Sequence, residues 1–176
     1  MLHYEAFNKQ VLKDHQLVCG DHIVSFNHKD SYYFAIFDGV GSGVYANLAA
    51  IANASRWKKM IREGISISEA CEKMAADTNR ARNQKIPFTA FVAVMVTRLG
   101  SALIYVYESP NPILSRKRVT RTLKPRFYST GNEEIGEVKI DLEEEDMLFI
   151  FSDGVSQSGM GKGRALGWGE DGVTSF

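Results

Sequence analysis

Cysteine is scarce in this sequence of 176 residues, which contains only Cys19 and Cys71. The two lie far apart along the chain and stand in no CxxC or similar ligand spacing. This pattern argues against a disulfide framework and against a cysteine-bound metal. It indicates two ordinary reduced thiols, as in cytoplasmic proteins.

An excess of charge is also absent, because 21 Lys and Arg residues balance 21 Asp and Glu residues. The overall charge therefore predicts neither nucleic-acid nor membrane binding. The longest apolar stretches, such as residues 91–96, are far too short to span a bilayer. The N-terminus has no basic region followed by a long apolar run, so we expect no signal peptide and a cytoplasmic protein.

What the sequence does contain is the balance of a globular protein, with 44% hydrophobic and 24% charged residues. Its length fits one domain spanning residues 1–176. The chain stops at Phe176 with no closing strand, so we expect the native protein to continue beyond this residue.

The order of secondary structure predicts the fold class. Ser66 and Glu69 form a capping box, and apolar residues then recur at helical spacing to about Asn83. Another helix is predicted over 45–62, and the glycine-rich tail 159–172 is predicted as irregular loops. Strands, then two adjacent helices, then many strands argue for an α+β fold with antiparallel sheets flanked by helices. The predicted strands are 3–8, 23–26, 32–37, 91–97, 102–107, 113–114, 127–128, 138–142 and 147–151.

Three aspartates share a local pattern beside these strands. Asp21 directly precedes a strand, whereas Asp38 and Asp153 each follow an apolar strand and precede a glycine. A carboxylate held rigidly at a sheet edge is the kind of ligand that hard divalent cations prefer. Two such ions can clamp a phosphate and activate a water between them. The carbonyl of Gly39 can serve as another oxygen ligand.

Other interpretations of these residues remain open. An Asp-Gly pair is also an ordinary turn after a strand. The glycines at 39, 41 and 43 open a helix and invite a nucleotide-loop interpretation, but they lack Walker A and full GxGxxG spacing. In addition, Asp38 would repel phosphate unless a cation is bound to it.

The residues also carry a resemblance to a known family. Cys-Gly-Asp at 19–21, Phe-Asp-Gly-Val-Gly-Ser-Gly-Val-Tyr-Ala-Asn at 37–47 and Phe-Ser-Asp-Gly-Val at 151–155 occur in this order. This arrangement resembles the SpoIIE-type PPM (PP2C-like) phosphatases, above all the short bacterial stress-response phosphatases. The resemblance covers residues 17–155.

The resemblance implies an αββα sandwich with two Mn²⁺ or Mg²⁺ ions at one edge. Asp38 would bridge both ions, Asp21 and the Gly39 carbonyl would hold one, and Asp153 would hold the other. Asp38 and Asp153 are thus the expected catalytic residues, with a metal-bridging hydroxide as the nucleophile.

Two departures from the family pattern matter. Val40 stands where eukaryotic relatives often carry a histidine, so no side chain can be named as the general acid. Family members usually close with Asp-Asp-x-Thr, and this chain has only the loosely similar Glu-Asp-Gly-Val-Thr at 170–174. Either Asp171 is a further metal ligand or the last ligand lies beyond the given chain.

The resemblance implies hydrolysis of phosphoserine or phosphothreonine in a regulatory protein, such as an anti-sigma-factor antagonist with a STAS domain. The rival hypothesis is a catalytically degenerate phosphatase fold that acts as a binding module in signalling. A nucleotide-binding domain is the weaker third hypothesis. The basic run from Arg116 to Arg126 fits either a dock for an acidic partner or a solvated hairpin.

Overall fold

The computed structural model describes residues 2–12, 17–41, 43–158 and 169–174, with the side chains of residues 170, 171 and 174 excepted. Nine strands and four helices follow one another in these ranges. They are β1 (Asp21–His28), β2 (Ser31–Gly39), α1 (Gly43–Arg62), α2 (Ile67–Asn83), β3 (Thr89–Thr97), β4 (Ser101–Tyr107), β5 (Ile113–Arg116), β6 (Val119–Thr122), β7 (Arg126–Thr130), β8 (Glu133–Asp141), β9 (Met147–Phe149), α3 (Asp153–Ser156) and α4 (Gly169–Thr174).

The strands form two antiparallel sheets. A six-stranded sheet has the order β1-β2-β3-β4-β8-β7, and a three-stranded sheet has the order β6-β5-β9. Helices α1 and α2 pack on the six-stranded sheet, and α4 contacts β6 of the other sheet. The predicted α+β class with antiparallel sheets and flanking helices is confirmed.

The six-stranded sheet is buried on both faces, because its side chains alternate between two cores. One core lies under α1 and α2 and contains Phe37 and Phe91. The other contains Val92 and Ile104 and packs against Leu114 of the smaller sheet. Burial on both faces explains why β2 and β3 are apolar almost throughout.

Small residues and one large ring hold α1 against the sheet. Ala46, Ala50 and Ala54 are buried at helical spacing and allow close approach, and Trp57 is wholly buried. Helix α2 begins after Ser66, whose side chain accepts a hydrogen bond from the Glu69 backbone N–H at 3.2 Å. The predicted N-cap residue Ser66 therefore starts the helix, the Glu69 carboxylate pairs with Lys73 at 2.8 Å, and α2 ends at Asn83 as predicted.

Two of the predictions on local structure are wrong, and one strand was not predicted. Residues 3–8 form no strand, and within this segment the Tyr4 hydroxyl donates to the Thr97 carbonyl at 2.5 Å. The glycine-rich tail contains α4 rather than loops alone, and residues 159–168 of that tail lie outside the described ranges. Strand β6 was not predicted, because its exposed Val-Thr-Arg-Thr sequence has no buried face to reveal it.

The basic run divides in the structure. Arg116 forms ion pairs with Asp146 at 2.6 Å and with Glu143 at 2.7 Å. Lys117, Arg118 and the other basic residues up to Arg126 are exposed. In the described ranges, no helix is long and apolar enough to cross a membrane.

Candidate metal centre

Asp21 and Asp38 are neighbours across β1 and β2. The register of these strands makes the two residues direct partners. Directly opposed residues of an antiparallel pair project from the same face, with their Cβ atoms about 5 Å apart. Strand pairing therefore brings together two carboxyl groups that are 17 positions apart in the sequence.

Asp153 reaches the same place from the smaller sheet. Strand β9 ends at Phe149, and Asp153 is the first residue of the short helix α3. The preceding Ser152 is buried, and its hydroxyl donates to Asp21 Oδ2 at 2.6 Å. This bond ties the α3 segment to β1, although 131 positions separate the two residues.

The pKa of the Asp38 carboxyl records the convergence of all three residues. It is raised to about 8, first by burial, and then by the negative charges of Asp21 and Asp153 and by hydrogen bonds with both carboxyls. Like charges in a partly buried site cannot all be ionised without a compensating cation or proton. The centre therefore has a strong electrostatic demand for positive charge.

The side chains present fit a hard divalent cation. None of the ion pairs within the described ranges involves Asp21, Asp38 or Asp153, so no Lys or Arg there supplies the missing charge. Carboxylate and carbonyl oxygens are what Mg²⁺ and Mn²⁺ accept as ligands. In that same part of the chain, no three His, Cys, Asp or Glu side chains are already spread as a ligand set. The hydrogen bonds that orient Asp21 and Asp153 come from the Ser152 hydroxyl and the Gln157 amide.

Gly39 follows Asp38 at a point where the first turn of α1 comes very close. A Cβ at position 39 would lie 2.1 Å from the carbonyl oxygen of Ala46, so no other residue fits without moving the helix. The Gly39 N–H also donates to the Gly20 carbonyl at 3.2 Å. Glycine at position 39 therefore allows α1 to pack directly against residues 38–41. We call this segment the metal loop, because it carries the predicted ligands Asp38 and Gly39.

Replacing Gly39 by alanine is expected to destabilise the protein by about 3 kcal/mol, because the clash is with backbone rather than with a movable side chain. Gly154→Ala is the matched control from the other Asp-Gly pair, since its Cβ would approach nothing closer than the Ser152 hydroxyl at 3.8 Å. Urea denaturation of both variants checks this. Equal midpoints for the two variants would contradict the packing described here.

Several residues that support the centre were not singled out from the sequence. The Phe88 carbonyl accepts a hydrogen bond from the Val40 N–H at 2.9 Å, and Thr89 pairs with Gly39 across β2 and β3. From α1, Asn53 donates to the Thr89 hydroxyl at 3.0 Å, and Asn47 donates to the Cys19 carbonyl at 2.7 Å. These are contacts between distant segments, and only Asn47 had a local signal, the Ala-Asn pair in the first turn of α1.

The remaining predicted ligand, Asp171, lies within α4, but its side chain is outside the described part of the structure. The structure thus brings together Asp21, Asp38 and Asp153 with Gly39 alongside, and it does not place the Asp171 carboxyl. Metal-ligand and catalytic roles for all five residues stay predictions.

Residues 28–169 match the family described as Stage II sporulation protein E (SpoIIE). The chain belongs to the SpoIIE family. Among curated proteins, none matched the sequence. The SpoIIE-type PPM resemblance drawn from the three aspartate motifs is thereby confirmed.

Solved structures share the fold of this SpoIIE-family chain. The RsbU and RsbW domains of Rv1364c from Mycobacterium tuberculosis superpose with a TM-score of 0.70 at 17% identity, covering 82% of this chain and 42% of that one. For the PP2C phosphatase domain of SpoIIE from Bacillus subtilis the TM-score is 0.68, at 19% identity and 79% and 41% coverage. For RsbX in complex with magnesium the corresponding values are 0.67, 17%, 84% and 72%. The fold is therefore that of the PP2C-like phosphatases, and the chain spans about two fifths of the first two relatives.

Proposed function

We propose that this protein is a metal-dependent phosphatase that hydrolyses phosphoserine or phosphothreonine in a regulatory protein. The observation that carries the proposal is the contact among three carboxyls: Asp38 is paired with Asp21 across β1 and β2, and Ser152, next to Asp153, donates to Asp21. In a chain of the SpoIIE family with a PP2C-like fold, this contact lies between the residues that the family motifs single out. The expected setting is the cytoplasm.

The roles proposed for the residues are those that the family resemblance implies. Asp38, which interacts with both other carboxyls, would bridge two Mn²⁺ or Mg²⁺ ions. Asp21 and the Gly39 carbonyl would hold one ion, Asp153 would hold the other, and Asp171 is a further candidate ligand. When bound, the ions supply an activated water and neutralise phosphate charge.

The protein's own groups prepare this chemistry in two ways. The Ser152 hydroxyl fixes one oxygen of Asp21, and Gln157 Nε2 donates to Asp153 Oδ2 at 2.9 Å, so two of the three carboxylates are oriented. A ligand held by a further hydrogen bond reorganises less when the metal binds. Val40 offers no proton to the leaving group, which fits a site where metal-activated water is the main catalytic device.

The substrate class rests on the resemblance to stress-response phosphatases. The relatives named above include domains of the Rsb proteins, which supports a protein substrate in a stress-signalling pathway. A STAS-type regulator carrying one phosphorylated serine or threonine is the partner we propose. Its phosphate would approach the open side of the centre, where Asp153 and Val40 are exposed.

The proposed activity is tested with p-nitrophenyl phosphate and a serine-phosphorylated STAS domain. Turnover is expected in Mn²⁺ or Mg²⁺, and EDTA is expected to abolish it, because the nucleophile requires the metal. Undiminished turnover in EDTA would contradict the proposed mechanism.

The rival binding-module hypothesis has its own signature in the same assay. It is favoured by the lack of a clear Asp-Asp-x-Thr motif in residues 1–176. It predicts tight capture of the phosphorylated partner without turnover in any divalent metal. Turnover in Mn²⁺ would exclude it.

A further inference from the structure

Arg82 stands near the end of α2 and connects that helix to the turn after β4 and to the start of β8. Its guanidinium forms ion pairs with Glu108, directly after β4, and with Glu133 of β8 at 3.8 Å. The same group lies over the ring of Phe88, 4.7 Å from the ring centroid. An arginine with a planar fork and a flat face can make such contacts at once, whereas a lysine cannot.

The acidic side of this cluster is held firmly in place. Glu133 is buried, and one of its carboxyl oxygens accepts a hydrogen bond from the Tyr107 hydroxyl at 2.7 Å. Glu108 adopts a left-handed backbone with φ of 50°, which turns the chain directly after β4. A non-glycine residue held in that conformation is a strained feature that its surroundings must stabilise. Arg82 is therefore anchored to Glu133, which is buried in the sheet and bonded to Tyr107, and to Glu108 at the turn after β4.

Phe88, whose ring Arg82 covers, also binds the metal loop through its backbone carbonyl. The Phe88 carbonyl accepts the hydrogen bond from Val40, and the next two residues pair with Gly39 and Asp38 across β2 and β3. Phe88 precedes β3, and its ring is only partly buried. Without the guanidinium over its ring, Phe88 would have fewer contacts to fix its carbonyl at the metal loop.

We infer that Arg82 is a positioning residue for the metal centre: through Phe88 it fixes the Val40 amide and hence the loop that presents Asp38 and the Gly39 carbonyl to the metal. The inference rests on the proposed function for its metal part. Among the contacts of the described residues, none joins the Arg82 side chain to Asp21, Asp38, Gly39 or Asp153. Its effect is transmitted by one stacking contact and one backbone hydrogen bond.

The test compares Arg82→Ala and Phe88→Leu with the full-length wild type by hydrogen exchange in EDTA and by titration with Mn²⁺. In both variants the Val40 amide is expected to exchange about tenfold faster, because its acceptor is less fixed. The amide of Ile104, in the middle of the six-stranded sheet, serves as an internal reference and is expected to keep its protection. Mn²⁺ affinity is expected to fall about tenfold, the usual size of an effect transmitted to a metal ligand from its supporting residues.

Two further variants separate positioning from a general loss of charge or of helix stability. Arg80→Ala removes an exposed arginine two residues away whose one ion pair within the described ranges is with Asp77, and both readouts are expected to match those of the wild type. Arg82→Lys keeps a cation over the ring without the two-sided fork, and its Mn²⁺ affinity is expected within about threefold of wild type.

The outcomes distinguish this inference from the proposed function. Unchanged Val40 exchange in Arg82→Ala would overturn the inference, as would unchanged Mn²⁺ affinity in that variant. A wild type that binds no Mn²⁺ would overturn the proposed function and the metal part of the inference together. Faster exchange at Val40 in the variants would still support the positioning contact.

Discussion

Asp38→Asn is expected to lower phosphatase activity by about 1,000-fold or more. Asparagine keeps the size and hydrogen-bonding capacity of aspartate and removes one negative charge. If Asp38 bridges two cations, its charge offsets their mutual repulsion, and its loss disrupts both ions together. Calorimetric titration with Mn²⁺ alongside the phosphatase assay measures the two effects in one preparation.

The matched control is Asp30→Asn in the turn after β1. Asp30 lies at the other end of the same strand pair, is highly exposed, and pairs with Arg98 at 3.5 Å. This variant loses the same charge and is expected to keep wild-type activity and Mn²⁺ affinity. Unchanged Mn²⁺ affinity in Asp38→Asn would contradict the proposed mechanism.

The Asp38→Asn substitution is expected to stabilise the metal-free protein. Because the folded pKa of Asp38 is raised to about 8, ionising this carboxyl opposes folding. The cost is absent below the ordinary pKa of aspartate near 4 and grows as the pH rises toward about 8. In EDTA at about pH 7.5, Asp38→Asn is therefore expected to be more stable than the wild type by several kcal/mol, up to about 5 kcal/mol for the full shift. Below about pH 4, the two proteins are expected to be equally stable in urea denaturation.

An ATP titration of these proteins tests the nucleotide-loop hypothesis. If the glycines at 39, 41 and 43 bind a nucleotide phosphate directly, removing the Asp38 charge should strengthen ATP binding. If Asp38 is only a turn residue, asparagine is an equally good occupant and nothing should change. A metal bridge alone predicts weaker Mn²⁺ binding without a gain in ATP affinity.

The features that the sequence predicted well depend on local chemistry. The capping box at Ser66 and Glu69 needs only residues three positions apart, so α2 could be placed at both ends. The strands β2 and β3 could also be predicted from their apolar runs, because burial on both faces leaves few polar positions. The α+β class followed from the order of these elements.

That the three aspartates lie close together depends on the fold rather than on the local sequence. Asp21 and Asp38 meet because β1 and β2 are paired in one register, and a hairpin turn makes that register foreseeable. Asp153 is different, since its approach depends on how the smaller sheet packs against the larger one. The Ser152 bond to Asp21 joins segments 131 positions apart, and Arg82 reaches the Phe88 ring across the loop between α2 and β3. Nothing in the local sequence marks either contact. These supporting contacts require coordinates.

Trp57→Ala is expected to destabilise the protein by about 4 kcal/mol, the largest stability loss that we expect from one substitution. The indole is wholly buried, and its ring centroid lies 5.8 Å from that of Phe26, 6.2 Å from that of Tyr33 and 6.0 Å from that of Phe37. These neighbours come from β1 and β2, so the cavity would open between α1 and the two strands that carry Asp21 and Asp38. Partial collapse cannot refill a space of that size.

Trp57→Ala is also expected to weaken Mn²⁺ binding, because α1 packs against the metal loop and would be less firmly held against the sheet. Ala46 packs against Gly39, and Asn53 holds Thr89 at the start of β3. Trp57→Phe, which keeps a ring in the same space, is expected to lose only about 1–2 kcal/mol and to retain metal binding.

Leu48→Ala on the exposed face of α1 is the control and is expected to change stability by less than about 0.5 kcal/mol. Urea denaturation followed by circular dichroism gives the stabilities, and Mn²⁺ titration of the folded fraction gives the effect on the site. A loss below about 1 kcal/mol in Trp57→Ala would mean that α1 is not anchored by this ring, and the support of the metal loop would then have to come from β3 alone.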